Sequence, residues 1–313
     1  MLNGIFNVYK PLGMTSFDVV SIMRRLTNTK KIGHTGTLDP QAEGVLTICV
    51  GEALKCVEYM MEKDKVYVTT ICFGTMTDTQ DATGKIVQTS DVRISKTQLG
   101  ELLQQFQGKQ MQTPPLYSAL KINGKKYYEL ARAGEVVDGP EPREIEVFDI
   151  QLQNTFVNEA GFVEEAEVEI HCSKGTYIRT LCHDIGLRAG SVAHMKRLKR
   201  IKAGQFSLAE TYSVAQLEQL QNEGRLESAM QPMERAFFNC PEAVYDGANI
   251  KRILNGIPIR LYLLQKGQPS EFAEGTYVRI YDAVGNFCAV GKAEQTPDGM
   301  VLKGYRIFRA WEK

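Results

Sequence analysis

Residues 33–46 constrain the fold of this chain more than any other stretch, because turn-forming residues there lead directly into an apolar run. The segment reads GHTGTLDPQAEGVL. Glycine permits backbone conformations that other residues avoid, and Pro40 fixes its own φ and biases Asp39 away from the helical region. A largely apolar run then extends from Val45 to Val50. The pattern predicts a shaped loop that enters a buried strand and holds the carboxylate of Asp39 at its tip.

Two interpretations of Asp39 are possible. Asp-Pro begins many turns, because the aspartate side chain can bond to its own backbone, so a structural role explains the dipeptide alone. The whole string, GHTGTLDPxAxGVL, resembles in register the active-site motif of the bacterial tRNA pseudouridine synthase B (TruB) family. The resemblance implies that Asp39 is essential for the isomerisation of uridine to pseudouridine at position 55, in the T loop of tRNA.

Length and composition are typical of a two-domain globular protein. The chain has 313 residues, of which 43% are hydrophobic, with no apolar stretch of membrane-spanning length and no signal-peptide pattern. Its seven cysteines form no Cys-x-x-Cys pair, so we expect free thiols in a reducing cytoplasm. Histidines and cysteines lack zinc-ligand spacing, and no phosphate-binding or dinucleotide-binding fingerprint occurs. We therefore expect neither a metal nor a cofactor.

Charge is balanced overall but unevenly distributed. The formal net charge is zero, which argues against a general nucleic-acid binder. Residues 171–202 nevertheless contain eight basic residues and one acid, and residues 1–34 contain five basic residues and one acid. Such patches suit recognition of one folded RNA, although clusters of this kind are often only solvated surface. From residues 171–202 we select four candidate RNA contacts: Lys196, Arg197, Lys199 and Arg200.

A second basic stretch begins at residue 113 and reads TPPLYSALKINGKKYYELARAG. Tyrosines that can stack on unpaired bases alternate there with cations that can meet phosphates, as recognition of loop RNA requires. A loop and helix whose lysines cover apolar surface would have the same composition. The string resembles the insertion, here about residues 108–143, with which the TruB family grips the T arm of tRNA. The resemblance implies RNA contacts by Lys121, Lys125, Lys126 and Arg132.

Three residues are candidates for the chemical step: Asp39, Tyr67 and Arg179. Tyr67 begins an alternating strand, where an aromatic residue ordinarily packs in the core, but the resemblance assigns it to stacking on the target base. Arg179 lies near a helix start, where a cation is unfavourable unless a carboxylate partners it, although an ordinary surface arginine is the commoner case. The string KGTYIRTL resembles the motif whose arginine pairs with the catalytic aspartate.

Four further residues are candidate substrate contacts. By resemblance, Tyr177 and Leu198 line the uracil pocket. His34 belongs to the target-base region, and we suggest that it fills the space left by the extruded uridine, although a lone histidine is more often structural. Lys10 lies in a Lys-Pro-x-Gly string that resembles the family's other N-terminal motif, but a turn with an exposed lysine explains it equally well.

Hydrophobic periodicity predicts an α+β fold. In the first 236 residues we predict strands at 4–9, 45–50, 65–73, 145–155 and 165–172, and helices at 16–27, 54–61, 95–107 and 179–188, with a helical region at 218–226. Residues 75–84 form a polar loop, since their acids do not match a calcium-binding loop. The resemblance implies a catalytic domain, residues 1–236, on a mixed, largely antiparallel sheet flanked by helices and loops.

Residues 237–313 differ from the preceding residues in their sequence pattern. Strand-like runs at 257–264, 277–281, 287–292 and 301–308 alternate with glycines, which suggests a small β-barrel or sandwich. Position and pattern resemble the PUA-type RNA-binding domain of the family. We expect tRNA as the partner, a monomer and no obligatory protein partner. Two alternatives remain: a nucleoside or glycoside hydrolase, for which Glu43 is the nearest second acid, and a non-catalytic RNA-binding or RNA-folding factor.

Overall fold

One large sheet and one small sheet organise the molecule. The computed structural model describes residues 2–118, 121–122, 125–127, 139–245, 247–261 and 272–308. The strands before residue 237 are β1 (Gly4–Lys10), β2 (Ile32–His34), β3 (Ala42–Val50), β4 (Lys65–Phe73), β5 (Thr75–Thr77), β6 (Ile86–Thr89), β7 (Gly108–Gln112), β8 (Lys121–Ile122), β9 (Lys125–Lys126), β10 (Arg143–Val157), β11 (Val163–Cys172), β12 (Ala193–Ala203), β13 (Phe206–Ser207), β14 (Tyr212–Ser213) and β15 (Met230–Gln231).

The large sheet is mixed and mainly antiparallel. Its path runs β14-β1-β3-β12-β4-β11-β10-β7, with β2, β13 and β15 paired at its sides. The pairings of β1 with β14 and of β3 with β12 are parallel, and the others of this sheet are antiparallel. Strand β12 therefore lies between β3 and β4. Its residue Leu198 pairs with Ala42 on one side, and Arg200 pairs with Tyr67 on the other.

Helices flank the sheets, and all except the last, which was not predicted, overlap a helical segment predicted from the sequence. They are α1 (Ser16–Thr27), α2 (Val57–Met61), α3 (Lys96–Gln104), α4 (Ile178–Arg188), α5 (Val214–Asn222) and α6 (Gly247–Leu254). Helix α1 begins after a capping box, in which the Thr15 hydroxyl accepts from the Asp18 N–H at 3.0 Å and the Asp18 carboxylate accepts from the Thr15 N–H at 2.8 Å. The predicted helix at 54–61 is a 3-10 turn, Gly51–Cys56, followed by the short α2.

The central strand β12 was not predicted from its sequence, AHMKRLKRIKA. Basic residues dominate this run, which makes it look like exposed surface. Two bulges against β4, between Met195 and Arg197 and between Arg200 and Lys202, also interrupt the simple two-residue period. The consequence is that Met195, Leu198 and Arg200 are buried, whereas Arg197 and Lys202 are exposed.

The C-terminal strands form a separate five-stranded sheet. They are β16 (Glu242–Tyr245), β17 (Ile259–Arg260), β18 (Tyr277–Asp282), β19 (Phe287–Thr296) and β20 (Gly299–Ile307), in the order β16-β18-β19-β20-β17. Aromatic residues join this sheet to the catalytic part: the ring centroids of Tyr59 and Phe237 are 4.4 Å apart, and those of Phe237 and Phe308 are 6.3 Å apart. The predicted α+β class, with a small C-terminal β unit, is confirmed.

The seven cysteines are free thiols, and six of them are buried. Burial raises the pKa of Cys172 and of Cys182 to about 12, so both stay protonated near neutral pH and pack as small apolar residues. Among the described residues, no helix is both long enough and apolar enough to span a membrane.

Candidate active site

The loop before β3 is tied down at several points. The buried Ser16 hydroxyl at the start of α1 accepts from the Leu38 N–H at 2.8 Å and donates to the Leu38 carbonyl at 3.0 Å. The Ala42 N–H closes a turn by donating to the Asp39 carbonyl at 2.9 Å. These bonds fix the loop backbone while the Asp39 side chain remains 41% exposed. The predicted shaped loop is therefore present, with the carboxylate at its tip.

Helix α4 brings Arg179 to this carboxylate. Arg179 is the second residue of the helix, its side chain is 7% exposed, and its Nη2 lies 3.1 Å from Asp39 Oδ2. A cation at the positive end of a helix needs compensation by negative charge, and Asp39 supplies part of it. Because the guanidinium is buried and held by several acceptors, it gives the carboxylate a partner in a fixed position. The structure thus joins two residues that lie in separate motifs.

A second carboxylate, Asp81, holds the other side of the guanidinium. Arg179 Nη1 is 3.5 Å from Asp81 Oδ2 and donates to the Thr79 carbonyl at 3.2 Å. Asp81 Oδ1 accepts from the Thr79 and Thr83 hydroxyls at 2.8 and 2.6 Å. The Tyr117 carbonyl accepts from Arg179 Nη2 at 2.9 Å. Sequence reasoning treated residues 75–84 only as a polar loop and missed Asp81, although the run TDTQDATG resembles a family segment and carried the signal.

A cavity of about 300 Å³ opens beside the Asp39–Arg179 pair. Tyr67, Tyr177 and Leu198 all line it, as the resemblance implies, and Tyr67 and Leu198 are less than a tenth exposed. Burial raises the pKa of Tyr67, so its hydroxyl remains protonated. The Arg143 guanidinium lies 4.8 Å from the centroid of the Tyr177 ring, which steadies that ring at the cavity wall. The result is a recess with both apolar and polar side chains in its walls, next to the Asp39 carboxylate.

His34 lies on a second, adjoining cavity of about 640 Å³. Asp39 and Arg179 line both cavities, whereas His34 and the exposed Phe17 line only this one. The imidazole Nδ1 accepts from the Gly36 N–H at 3.2 Å, and burial, together with the nearby Arg200, lowers the pKa of His34. His34 is therefore a neutral imidazole with its proton on Nε2.

Two predicted contact residues lie elsewhere than expected. Lys10 is fully buried, and its Nζ donates to the carbonyls of Pro11 and Met14 at 3.0 and 2.6 Å, so it does not reach either cavity wall. Burial lowers the pKa of Lys10 to about 8. Arg200 is 3% exposed and lines the first cavity, so it is not part of an exposed basic surface. Alternation places it on the same face of β12 as Leu198, a signal that the sequence contained.

The remaining basic candidates are distributed over the surface. Lys196 and Arg197 are exposed on β12, where Lys196 pairs with Glu165, and the half-buried Lys199 lies 2.9 Å from Glu43. The backbones of Lys121, Lys125 and Lys126 belong to the antiparallel strand pair of β8 and β9. Arg132 lies outside the described residues. Within the described ranges, no group of three or more His, Cys, Asp or Glu side chains is arranged to hold a metal ion.

Comparison with known families assigns most of the chain. Residues 24–178 match the model of the TruB family pseudouridylate synthase N-terminal domain, and residues 179–237 match that of the tRNA pseudouridylate synthase B C-terminal domain. The first match contains Asp39, Tyr67 and Asp81, and the second begins at Arg179. The ion pair of the candidate site thus joins the two matched regions.

Similar proteins and similar folds agree with this assignment. The tRNA pseudouridine synthase B of Oceanobacillus iheyensis is 41% identical over 100% of this chain and 99% of its own length, and that of Bacillus subtilis is 42% identical over 93% of each. A chain of an H/ACA RNP bound to a substrate RNA containing 2′-deoxyuridine shares the fold, with a TM-score of 0.75 and 22% identity over 98% of this chain and 86% of that chain. These matches establish that the chain belongs to the TruB family of pseudouridylate synthases.

Proposed function

We propose that this chain isomerises uridine to pseudouridine in tRNA, at position 55 of the T loop. The observation that carries the proposal is the 3.1 Å contact between the half-exposed Asp39 carboxylate and the buried Arg179, at the mouth of a recess lined by Tyr67 and Leu198. An ionised carboxylate with a fixed direction, next to a space for a flat base, is what cleavage of a glycosidic bond and recapture of the base require.

Asp39 acts at C1′ of the target ribose. The C1′–N1 bond breaks, the uracil rotates, and C5 bonds to C1′. Asp39 can assist by stabilising positive charge at C1′, by bonding to it, or by removing the C2′ proton, and each role needs the ionised form. Arg179 holds the carboxylate in a fixed direction, and Asp81 in turn orients Arg179.

The recess keeps the detached uracil in place while it rotates. Tyr67 offers a ring face, Leu198 a small apolar surface, and Tyr177 closes the wall beside Arg143. Substituting Tyr67 with leucine removes the stacking surface and leaves the exposed RNA contacts untouched. We therefore expect Tyr67→Leu to slow the chemical step more than it weakens tRNA binding, and a change confined to the dissociation constant would contradict this role.

The target uridine must leave the stacked loop before it can enter the recess. Extruding a base costs a few kcal/mol, which a side chain that fills the vacated space partly offsets. His34 is suited to this role, because its neutral ring lines the adjoining cavity together with Phe17. Its pairing with the Gly36 N–H holds the ring at a fixed angle to the Asp39 loop.

The T arm is held outside the recess. We assign this contact to the insertion at about residues 108–143, which includes Lys121, Lys125, Lys126 and Arg132, and to the exposed Lys196, Arg197 and Lys199 of β12. Residues 1–236 form the catalytic domain in this proposal, and residues 237–313 form a PUA-like RNA-binding domain. The enzyme acts as a cytoplasmic monomer without a cofactor.

The decisive experiment uses an unmodified tRNA transcript, incubated with the purified protein in buffer that contains a chelator. Pseudouridine mapped to position 55 supports the proposal. Pseudouridine at another site would correct the assignment of the position. Release of free uracil, measured by chromatography, would identify a hydrolase instead. Binding without any product would favour a non-catalytic RNA-binding factor. Asp39→Asn is the matched control, and it should bind the transcript without converting it.

A further inference from the structure

Arg200 is a buried cation to which the scheme above gives no role. The residue is 3% exposed, and it lines the cavity beside Tyr67 and Leu198. Carboxylates form ion pairs with Arg179 and Lys199 nearby, but none pairs with Arg200 in the parts of the chain that the structure describes. A buried charge without an opposite charge costs free energy. The arrangement therefore suits an anion that arrives with the substrate.

The fold fixes the direction of this guanidinium. Nε donates to the Val45 carbonyl at 2.8 Å, and Nη2 donates to the Gly36 carbonyl at 3.0 Å. Strand β3 can approach this closely only because residue 44 is glycine: its φ is +107°, and a Cβ there would lie 2.2 Å from the Arg200 carbonyl oxygen. The Tyr67 side chain lines the same cavity as Arg200, and the two residues pair between strands β4 and β12. Arg200 is thus held at the wall against which the uracil would lie.

The reaction generates an anion at this depth. When the C1′–N1 bond breaks, its electron pair leaves with the base and spreads over N1, O2 and O4 of the uracil. This holds whether Asp39 bonds to C1′, stabilises positive charge there, or removes the C2′ proton so that its bonding pair forms the C1′–C2′ double bond. The pair returns when C5 bonds to C1′; at that step any Asp39–C1′ bond breaks and its electron pair returns to the carboxylate, or, on the elimination route, C2′ regains its proton from Asp39. The C5 proton is then lost and N1 is protonated, so no external reagent is consumed.

We propose that Arg200 stabilises the negative charge of the detached uracil and is a catalytic residue of this reaction. The proposal rests on the function proposed above. A backbone phosphate is the other anion that the substrate offers, but it remains near solvent, whereas Arg200 lies in the recess with Tyr67 and Leu198. A preorganised charge in a site of low dielectric contributes most where charge develops during the reaction.

Lys65 is a less suitable candidate for the same role. It lines the cavity too, but its Nζ donates to the Met61 carbonyl at 2.7 Å and also to the Lys63 carbonyl. Burial, together with the neighbouring Arg200, lowers the pKa of Lys65 to about 8. A guanidinium keeps its charge throughout the working pH range, so Arg200 is the permanent positive charge on this wall.

The test compares two leaving groups in single-turnover reactions of Arg200→Gln. One tRNA carries uridine at position 55 and the other carries 5-fluorouridine, whose base is the more stable anion and needs less help to leave. We expect the variant to lose about 10²-fold in rate on uridine but no more than about 10-fold on 5-fluorouridine. Because a fluorinated C5 has no proton to lose, the readout on that substrate is consumption of 5-fluorouridine after nuclease digestion.

The ratio of the two losses distinguishes chemistry from folding. A variant that is partly misfolded, or that holds the Gly36 loop badly, loses rate equally on both substrates, and equal losses would overturn the proposal. So would an unchanged rate, or a loss confined to tRNA affinity. Arg200→Lys serves as a second variant if the glutamine form does not fold, and its retained charge should preserve more activity on uridine. Lys202→Gln, at an exposed position of the same strand, is the control. If the wild type forms no pseudouridine, the proposed function itself has failed.

Discussion

Arg179 and Arg200 are both buried arginines that line one cavity, but they have different partners. Arg179 lies 3.1 Å from Asp39 and 3.5 Å from Asp81, whereas Arg200 donates to the Val45 and Gly36 carbonyls and, among the described residues, forms no ion pair. We call Asp39, Asp81 and Arg179 the carboxylate wall, and Tyr67, Leu198 and Arg200 the uracil wall.

The difference between the walls shows how one residue type serves two purposes. On the carboxylate wall the charge of Arg179 is paired with two carboxylates, so the effect of the guanidinium is to orient Asp39. On the uracil wall no carboxylate of the described residues pairs with the charge of Arg200, so this wall attracts an anion. Substitutions on the carboxylate wall should therefore affect every substrate alike, while those on the uracil wall should depend on the leaving group.

Asp39→Asn should have the largest effect. The amide keeps the size of the side chain but lacks the negative charge with which Asp39 acts on C1′ or the C2′ proton. We therefore expect turnover to fall by on the order of 10⁴-fold or more. Affinity for tRNA should change little, because the surfaces assigned to the T arm are untouched. Single-turnover pseudouridine formation and filter binding measure the two quantities. Near wild-type turnover by a variant preparation free of native enzyme would remove Asp39 from the mechanism.

Arg179→Lys should be the next most damaging change. One ammonium cannot reach Asp39, Asp81 and the two carbonyls that the planar guanidinium serves, so the carboxylate loses its fixed direction. We expect a loss of roughly 10²- to 10³-fold in the single-turnover rate, equal on uridine and 5-fluorouridine. Arg188→Lys, at an exposed position in the last turn of the same helix, is the control. A loss that shrinks on 5-fluorouridine would show that the two walls are not separate in function.

Asp81→Asn should have a smaller effect in the same direction. The amide can still accept from Thr79 and Thr83, but Arg179 loses one of its two carboxylates, and a hydrogen bond of a charged group is worth about 1.5–3 kcal/mol. We expect a loss of roughly 10- to 100-fold, again independent of the leaving group. Asp78→Asn is the matched control, since the exposed Asp78 accepts only from the Lys85 N–H in the described structure. Equal rates for the two variants would rule out a role of Asp81 through Arg179.

The sequence predicted two residues of each wall, and the third residue of each was missed or misplaced. Asp39 and Arg179 each lie in a short motif in which glycine, proline or a helix start makes the local backbone conformation predictable. Asp81 was missed because its partner lies 98 residues further along the chain, and nothing local shows that its loop turns inward. The lesson is that a loop rich in Asp and Thr can anchor a distant cation as readily as it can form a surface turn.

Arg200 was misplaced for a different reason. The basic residues of the run AHMKRLKRIKA suggest exposed surface, although regular alternation from Leu198 to Arg200 puts both side chains on the same face of β12. Its burial depends on a tertiary fact, namely that β12 lies between β3 and β4, and on the close approach that Gly44 allows. The strand at 65–73, in contrast, was predicted correctly, because β-branched and aromatic residues mark it without help from its neighbours.

The smallest expected effect concerns the buried Lys10, which lies near Asp39, and it is an effect on the free energy of unfolding. Burial lowers the pKa of Lys10 to about 8, while the nearby Asp39 opposes that lowering. Below pH 8 both the folded and the unfolded chain carry the proton; between about pH 8 and pH 10.5 only the unfolded chain does. The unfolded state then binds more protons, so the contribution of Lys10 to the free energy of unfolding rises with pH over this range.

Urea unfolding at several pH values, with Lys10→Met as the reference, measures this contribution. The difference in the free energy of unfolding between wild type and variant should grow in favour of the wild type from pH 8 to pH 10.5. Asp39→Asn removes the negative charge that supports the Lys10 proton, so in that background the rise should begin at a lower pH. If this rise begins at the same pH with and without the Asp39 charge, Lys10 does not interact electrostatically with Asp39. Of Lys10, Arg179 and Arg200, only Arg179 would then be coupled to the carboxylate wall.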